Sequence, residues 1–197
     1  MGRLAIRISK VISIIVRRLH SQGLSTTLLW FYVRGIDWVT GSPNLRYSRI
    51  TEHLYVGPQY RKFGKSRLEA AGIRHSVNMR SEFNDLERGL ALENHCYLPT
   101  IDDQAPTLEH VTSGVSFIER ALGNGGKVYI HCGGGVGRAP TMAAAYFISI
   151  GYSCQESLLL IQRVRPFIQV TPVQLDSLRH FDGLYSKRND YNSPTSH

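Results

Sequence analysis

The sequence predicts an α/β domain: a central, largely parallel sheet of four to five strands flanked by helices, with a helical appendage at the N-terminus. Three observations predict it. From Tyr47 onward, strand-like and helix-like stretches alternate. The apolar run Val128-Tyr129-Ile130 enters a glycine-rich stretch and leaves it as a helical pattern of small residues. The length of 197 residues suits one full core plus an appendage, and is too short for two ordinary domains.

The appendage comes first. At 100° per residue, Leu4, Ala5, Ile8, Val11, Ile12, Ile15, Val16 and Leu19 fill one arc of a helix over residues 3–20. Arg3, Arg7, Lys10, Arg17 and Arg18 fill the opposite arc, and only Ile6 and Ile14 break the pattern. A basic amphipathic helix without acids fits an anionic membrane surface or an organelle-targeting presequence, and equally a helix packed on its own domain. Residues 25–40 add the aromatic cluster Trp30-Phe31-Tyr32 and Trp38, suited to an interfacial belt or to covering a core. No charge-free run reaches the ~18–20 residues that span a bilayer. Residues 3–39 are thus a candidate contact for an anionic membrane. Gly41-Ser42-Pro43-Asn44 is the expected boundary, which divides the chain into an N-terminal segment 1–44, a domain 45–186 and a polar, flexible tail 187–197.

Within the domain, a strand is expected from Ile50 to Val56, ended by Gly57-Pro58, then a helix over 60–71 closing at Gly72. Ile73 to Met79, Cys96 to Leu98 and Lys127 to Ile130 read as further strands. Three helices follow: Thr141 to Ile150, small and apolar on most faces and so buried; Gln155 to Arg165, stopped by Pro166; and Pro172 to about Tyr185.

The stretch His131-Cys132-Gly133-Gly134-Gly135-Val136-Gly137-Arg138 joins the last strand to the first of these helices. Such a loop can turn its N–H groups inward, and the helix N-terminus adds unsatisfied donors and a positive dipole end. Gly133, Gly134, Gly135, Val136 and Gly137 would form an anion cradle, at the C-terminal end of a strand where α/β sheets place ligands. A cysteine at a helix N-terminus beside an arginine is expected to ionise readily. Cys132 is therefore a candidate nucleophile, and Arg138 can grip two oxygens of a phosphate and its transition state. The reaction expected is attack of sulfur on phosphorus. The competing reading is a plain strand-to-helix connection with a buried cysteine.

Composition is that of a globular protein. Three cysteines, Cys96, Cys132 and Cys154, form neither a disulfide framework nor a metal cluster, so a reducing compartment such as the cytoplasm fits and no metal is expected. Residues 1–50 carry eight basic residues against Asp37 alone, which is +7 of the total +8. The rest is nearly neutral, so no nucleic-acid partner is implied.

An acid is needed to protonate the departing oxygen. Asp102-Asp103 stands in a loop after a strand, about thirty residues before Cys132, although an Asp pair before a proline also serves turns and caps. With the loop Thr100-Ile101-Asp102-Asp103-Gln104-Ala105-Pro106, His-Cys-x5-Arg at 131–138, and Val164-Arg165-Pro166 followed by Gln174, residues 47–186 resemble the dual-specificity branch of the cysteine-dependent protein tyrosine phosphatases. The resemblance implies that family's fold and a site at His131, Cys132 and Arg138. It makes Cys132 a phosphocysteine-forming nucleophile, Arg138 the phosphate ligand and residues 133–137 the cradle. Aligned on the Ala-Pro that follows, Asp102 matches the general acid; aligned to the regenerating-liver type, Asp103 does. No cofactor is implied.

One departure is Ala139, where most members carry Ser or Thr, and it implies slow breakdown of the phosphoenzyme. The implied substrate is a phosphoprotein. The alternative is a phospholipid, because the N-terminal segment and Pro106-Thr107-Leu108 also resemble membrane-associated phosphatidylglycerophosphate phosphatases. Against the lipid reading, the loop interior contains no cation.

Overall fold

The computed structural model describes residues 3–192, with side chains from position 15 to position 185 apart from 17. Four strands, β1 (Leu54–Pro58), β2 (His75–Arg80), β3 (Asn94–Thr100) and β4 (Val128–Cys132), form one sheet in the order β1-β4-β2-β3. Every pairing is parallel. The register sets Pro58 beside Cys132, Asn78 beside His131 and Arg80 beside Thr100, so the C-terminal strand ends meet at one edge.

Side chains alternate across this sheet with period 2. Leu54, Val56, Val77, Met79, Val128 and Ile130 face the larger core, while Tyr55 and Tyr129 face a smaller one with Tyr60, Leu68 and Leu90. β1 and β4 are buried throughout, as parallel strands covered on both faces must be. Each fully buried aliphatic side chain contributes on the order of 1.5–3 kcal/mol.

The helices are α1 (Arg3–Thr40), α2 (Lys62–Ala70), α3 (Leu108–Gly123), α4 (Arg138–Ser149), α5 (Cys154–Val164) and α6 (Pro172–Asn192). α4 is the hub, packed on the sheet and against α3, α5 and α6. It is buried over most of its length, as its small apolar sequence predicts. A side chain at Gly114 of α3 would strike Met142 and Leu98, so this glycine sets how closely α3 approaches.

Boundaries differ from expectation in places, each for a local reason. β1 starts at Leu54 rather than Ile50, because Thr51 Oγ1 accepts from His53 and Leu54 N–H while Ile50 N–H bonds Leu54 O, closing a turn. α3 is missing from the expected element order although its signals are present. Thr107 caps it at His110 N–H, and Val111, Val115 and Ile118 recur on its buried face. α6 continues past Tyr185 to Asn192; positions 193–197 of the expected tail lie outside the described residues.

α1 is broken at Gly23, whose φ of 77° is open to glycine. The expected arcs over positions 3–14, and Arg17, lie outside the described side chains. From Ile15 onward, α1 packs on the domain with an unexpected face. Arg18, expected on the polar outside, is 2% exposed, whereas Val16 and Leu19 face solvent. The guanidinium of Arg18 lies 4.2 Å over the Trp30 ring and donates to Phe167 O at 3.0 Å. The expected boundary is a tight connection, with Gly41, Ser42 and Pro43 buried and Asn44 N–H held by Asp37 Oδ1 at 2.8 Å. Among the described residues, no helix is long and apolar enough to cross a membrane.

Candidate active site

β4 delivers Cys132 to the converging strand ends, and α4 begins at Arg138, so the five residues between them form the loop read from the sequence. Each of their carbonyls is engaged. Arg165 Nε donates to Gly135 O at 2.7 Å and its Nη2 to Gly134 O at 3.2 Å. Arg34 Nη1 donates to Gly133 O at 3.1 Å, Gln169 N–H to Val136 O at 2.6 Å, and Thr141 N–H to Gly137 O at 3.0 Å. With every carbonyl already hydrogen-bonded, the loop N–H groups remain available to an anion, and Gly135 N–H donates to Cys132 Sγ at 3.2 Å. Gly135 has φ 65°, and a side chain there would meet the Gly57 backbone and the Arg165 guanidinium, so only glycine fits.

Arg138 is 2% exposed. Glu82 grips it bidentately, Oε2 to Nη1 at 2.9 Å and Oε1 to Nη2 at 3.0 Å, and Asp102 Oδ1 lies 2.9 Å from Nη2. Met79 O and Thr100 O also accept from Nη1. The Nε donor is buried and has no acceptor among the described residues. Burial works against the charge of Arg138, but Glu82, the Cys132 sulfur and Asp102 outweigh it and push its pKa up. Burial pushes the Glu82 carboxyl up in turn; hydrogen bonds from Arg138, its own N–H and Arg80 prevail and hold it at about 2.

Asp102 and Asp103 both line the hollow, a cavity of about 450 Å³. Asp102 reaches Arg138, while Asp103 adopts φ 63°, a left-handed conformation that Asp tolerates. Thr171 Oγ1 donates to Asp103 O at 3.0 Å and Gln174 Nε2 to Gln104 O at 2.9 Å, so the start of α6 pins this loop over the cradle.

His131 is fully buried and does not line the hollow. Its Nε2 lies 2.7 Å from Asp85 Oδ2, and its ring stacks on Tyr129 and meets the edge of Tyr60. Burial raises the Asp85 carboxyl, but the His131 contact, with Gln59 and Arg80, brings it below its ordinary value. Cys96 is a free thiol on β3, and β2 stands between its strand and β4.

Sequence reasoning does not assign Glu82, Asp85, Arg34, Arg18 or Trp30 to the site. Arg18, Trp30 and Arg34 bring α1 into the wall of the hollow. Glu82 and Asp85 follow β2 by a few residues, and a charged residue just past the C-terminal end of a parallel strand is the one clue they offer.

A thiol held in an N–H cradle, an arginine at the start of a helix and a carboxylate above them, on a four-stranded parallel sheet, define the cysteine-based dual-specificity phosphatase class. The chain belongs to this family. A profile of the family described as a polymorphic toxin system DSP-PTPase phosphatase matches residues 56–152. The chain is 38% identical over 146 residues to the human phosphatidylglycerophosphatase and protein-tyrosine phosphatase 1, covering 68% of this chain and 72% of that protein. It is 29% identical over 142 residues to rat protein phosphatase Slingshot homolog 3, covering 71% of this chain but about a fifth of that longer protein, 21%. The crystal structure of PTPMT1 in complex with PI(5)P superposes with TM-score 0.65 at 28% identity, covering 72% of this chain and 97% of that one. Human DUSP28 shares the fold with TM-score 0.65 at 20% identity, covering 72% and 99%.

Proposed function

We propose that the protein is a phosphomonoester hydrolase of the dual-specificity and tyrosine phosphatase type, working through a phosphocysteine. One observation supports it above the others: Cys132 and Arg138 bound a cradle whose five carbonyls are all hydrogen-bonded within the protein. Such a site is preorganised for phosphate oxygens and needs no rearrangement as charge develops. The orphan Nε donor of Arg138 offers one further bond to an oxygen.

In the first step Cys132 Sγ attacks phosphorus, the ester P–O bond breaks, and Asp102 gives its proton to the leaving oxygen. In the second step Asp102 takes a proton from water, whose oxygen attacks phosphorus and expels the Cys132 thiolate. Asp102 is the acid we favour, since its carboxylate reaches Arg138; Asp103 is the alternative. Residues 133–137 and Arg138 hold the phosphate. His131, fixed by Asp85, orients the backbone ahead of Cys132. Acid-quenched mass spectrometry during hydrolysis of p-nitrophenyl phosphate should find a phosphoryl adduct on the Cys132 peptide. Hydrolysis that persists in Cys132→Ser sinks this mechanism.

A second reading, phospholipid hydrolysis at a membrane surface, is favoured by the outer face of α1. Leu24, Leu28, Phe31, Tyr32, Trp38 and Val39 fall within one arc of the helix and are exposed, alongside the hollow that Trp30 and Arg34 line. On this reading the stripe enters the interface and presents the site to lipid head groups. Leu28→Glu together with Trp38→Glu should then cut activity on phosphatidylglycerophosphate vesicles while sparing soluble phosphotyrosine peptides; equal losses on both discard it.

A further inference from the structure

Beside the phosphate cradle lies a second hollow of about 220 Å³ with basic walls. Arg34 of α1, Arg61 just ahead of α2 and Arg80 at the end of β2 line it, against Asp37 as the acid in the lining. Asp37 is 5% exposed, accepts from Asn44 N–H and is drawn electrostatically to Arg34, whose Nη1 also holds Gly133 O, so one carboxylate faces three guanidinium groups. Arg80 shares Glu82 with Arg138. Among the described residues, neither Arg34 nor Arg61 forms an ion pair.

Three guanidinium groups around a small hollow repel one another, and an anion between them relieves that repulsion through charge-assisted hydrogen bonds. The volume suffices for a phosphate group with water, at roughly 30 Å³ per water. Position matters as much as charge. Gly133 and Arg34 line both hollows, so a single loop residue separates this one from the cradle. The loop interior supplies no cation of its own, and Arg34 brings one from α1.

We propose that this hollow seats a second anionic group of the substrate, a phosphomonoester or phosphodiester a few bonds from the phosphate that Cys132 attacks, with Arg34 and Arg61 reading it. The preferred substrates are then phosphomonoesters carrying two anionic groups. This rests on the phosphatase reading above for the place of the first phosphate.

Binding without turnover tests it. In the full chain carrying Cys132→Ser, calorimetry compares glycerol 1,3-bisphosphate with glycerol 1-phosphate, and dihexanoyl phosphatidylglycerophosphate with dihexanoyl phosphatidic acid. The member with two anionic groups should bind about tenfold more tightly, the scale of one accessible charge-assisted bond. Adding Arg61→Ala should remove most of that preference, and Arg61→Lys should restore part of it. A preference in both pairs means that the anion itself is read, and one confined to the lipid pair means that the glycerolipid head group is read; either supports the seat. Equal binding within both pairs, or a preference unchanged by Arg61→Ala, overturns it. Hydrolysis of p-nitrophenyl phosphate by the unmodified chain, with Cys132→Ser as blank, is scored separately. Its absence sinks the phosphatase reading while the calorimetry still decides the seat.

Discussion

The phosphate loop and the α1 wall are two sides of one hollow, yet they are specified in opposite ways. The loop is eight consecutive residues in which the carbonyls of 133–137 are all bonded within the protein, which leaves its N–H groups for an anion. The wall is made of side chains from Arg18, Trp30 and Arg34, brought to the loop from about a hundred positions away by a kinked helix. The loop carries the reactive groups, and the wall adds charge and shape from side chains far away in the sequence. Function and specificity can therefore be perturbed apart.

The largest effects should come from the loop side. Asp102→Asn should lower kcat with p-nitrophenyl phosphate by about 10²–10⁴-fold, the worth of a positioned acid. Asp103→Asn should cost much less, and the reverse order would assign the acid to Asp103. Arg165→Met tests whether the cradle depends on its outside support. It leaves three carbonyls, the buried one of Gly135 and the half-buried ones of Gly134 and Tyr47, without their donor. Urea unfolding should then show a loss of about 2–4 kcal/mol, and kcat/KM should fall with it.

A smaller effect is expected in acid. Glu82 and Asp85 both have carboxyls depressed in the folded state. Their contribution to stability is complete above the unfolded carboxylate range near ~4 and is lost as pH falls toward the folded values, about 2 for Glu82. Urea midpoints measured from pH 6 down to pH 3 should fall, and Glu82→Gln with Asp85→Asn should flatten that fall. A slope unchanged in the double variant would assign the acid limb to other groups. The mildest change is Ala139→Ser, which puts a hydroxyl one residue beyond Arg138, where the buried Ala139 supplies none. Steady-state turnover should rise several-fold, whereas an unchanged rate discards the expectation that Ala139 slows breakdown of the phosphoenzyme.

Legibility in the sequence followed the same division. The parallel α/β order and the Cys132–Arg138 loop could be read because period-2 strands, glycines and a nucleophile lie within short windows. α3 could have been read from the Thr107 cap and the Val111, Val115, Ile118 spacing, and its absence from the expected order reflects no physical obscurity. Arg18 was another matter. Helical periodicity placed it outward with the other basic residues, but packing against Trp30 and the Phe167 carbonyl outweighed its hydration and turned it inward.

The sequence by itself determined the loop and its candidate nucleophile, phosphate ligand and acids, because a strand, a glycine loop and a helix N-terminus are consequences of local backbone preference. Only the tertiary structure decided what surrounds them. The strand order β1-β4-β2-β3 puts Glu82 and Asp102 on Arg138 and Asp85 on His131, and the seat of α1 sets Arg34 between two hollows. Those partners are dispersed along the chain, and charge pairing between distant residues leaves no periodicity to read.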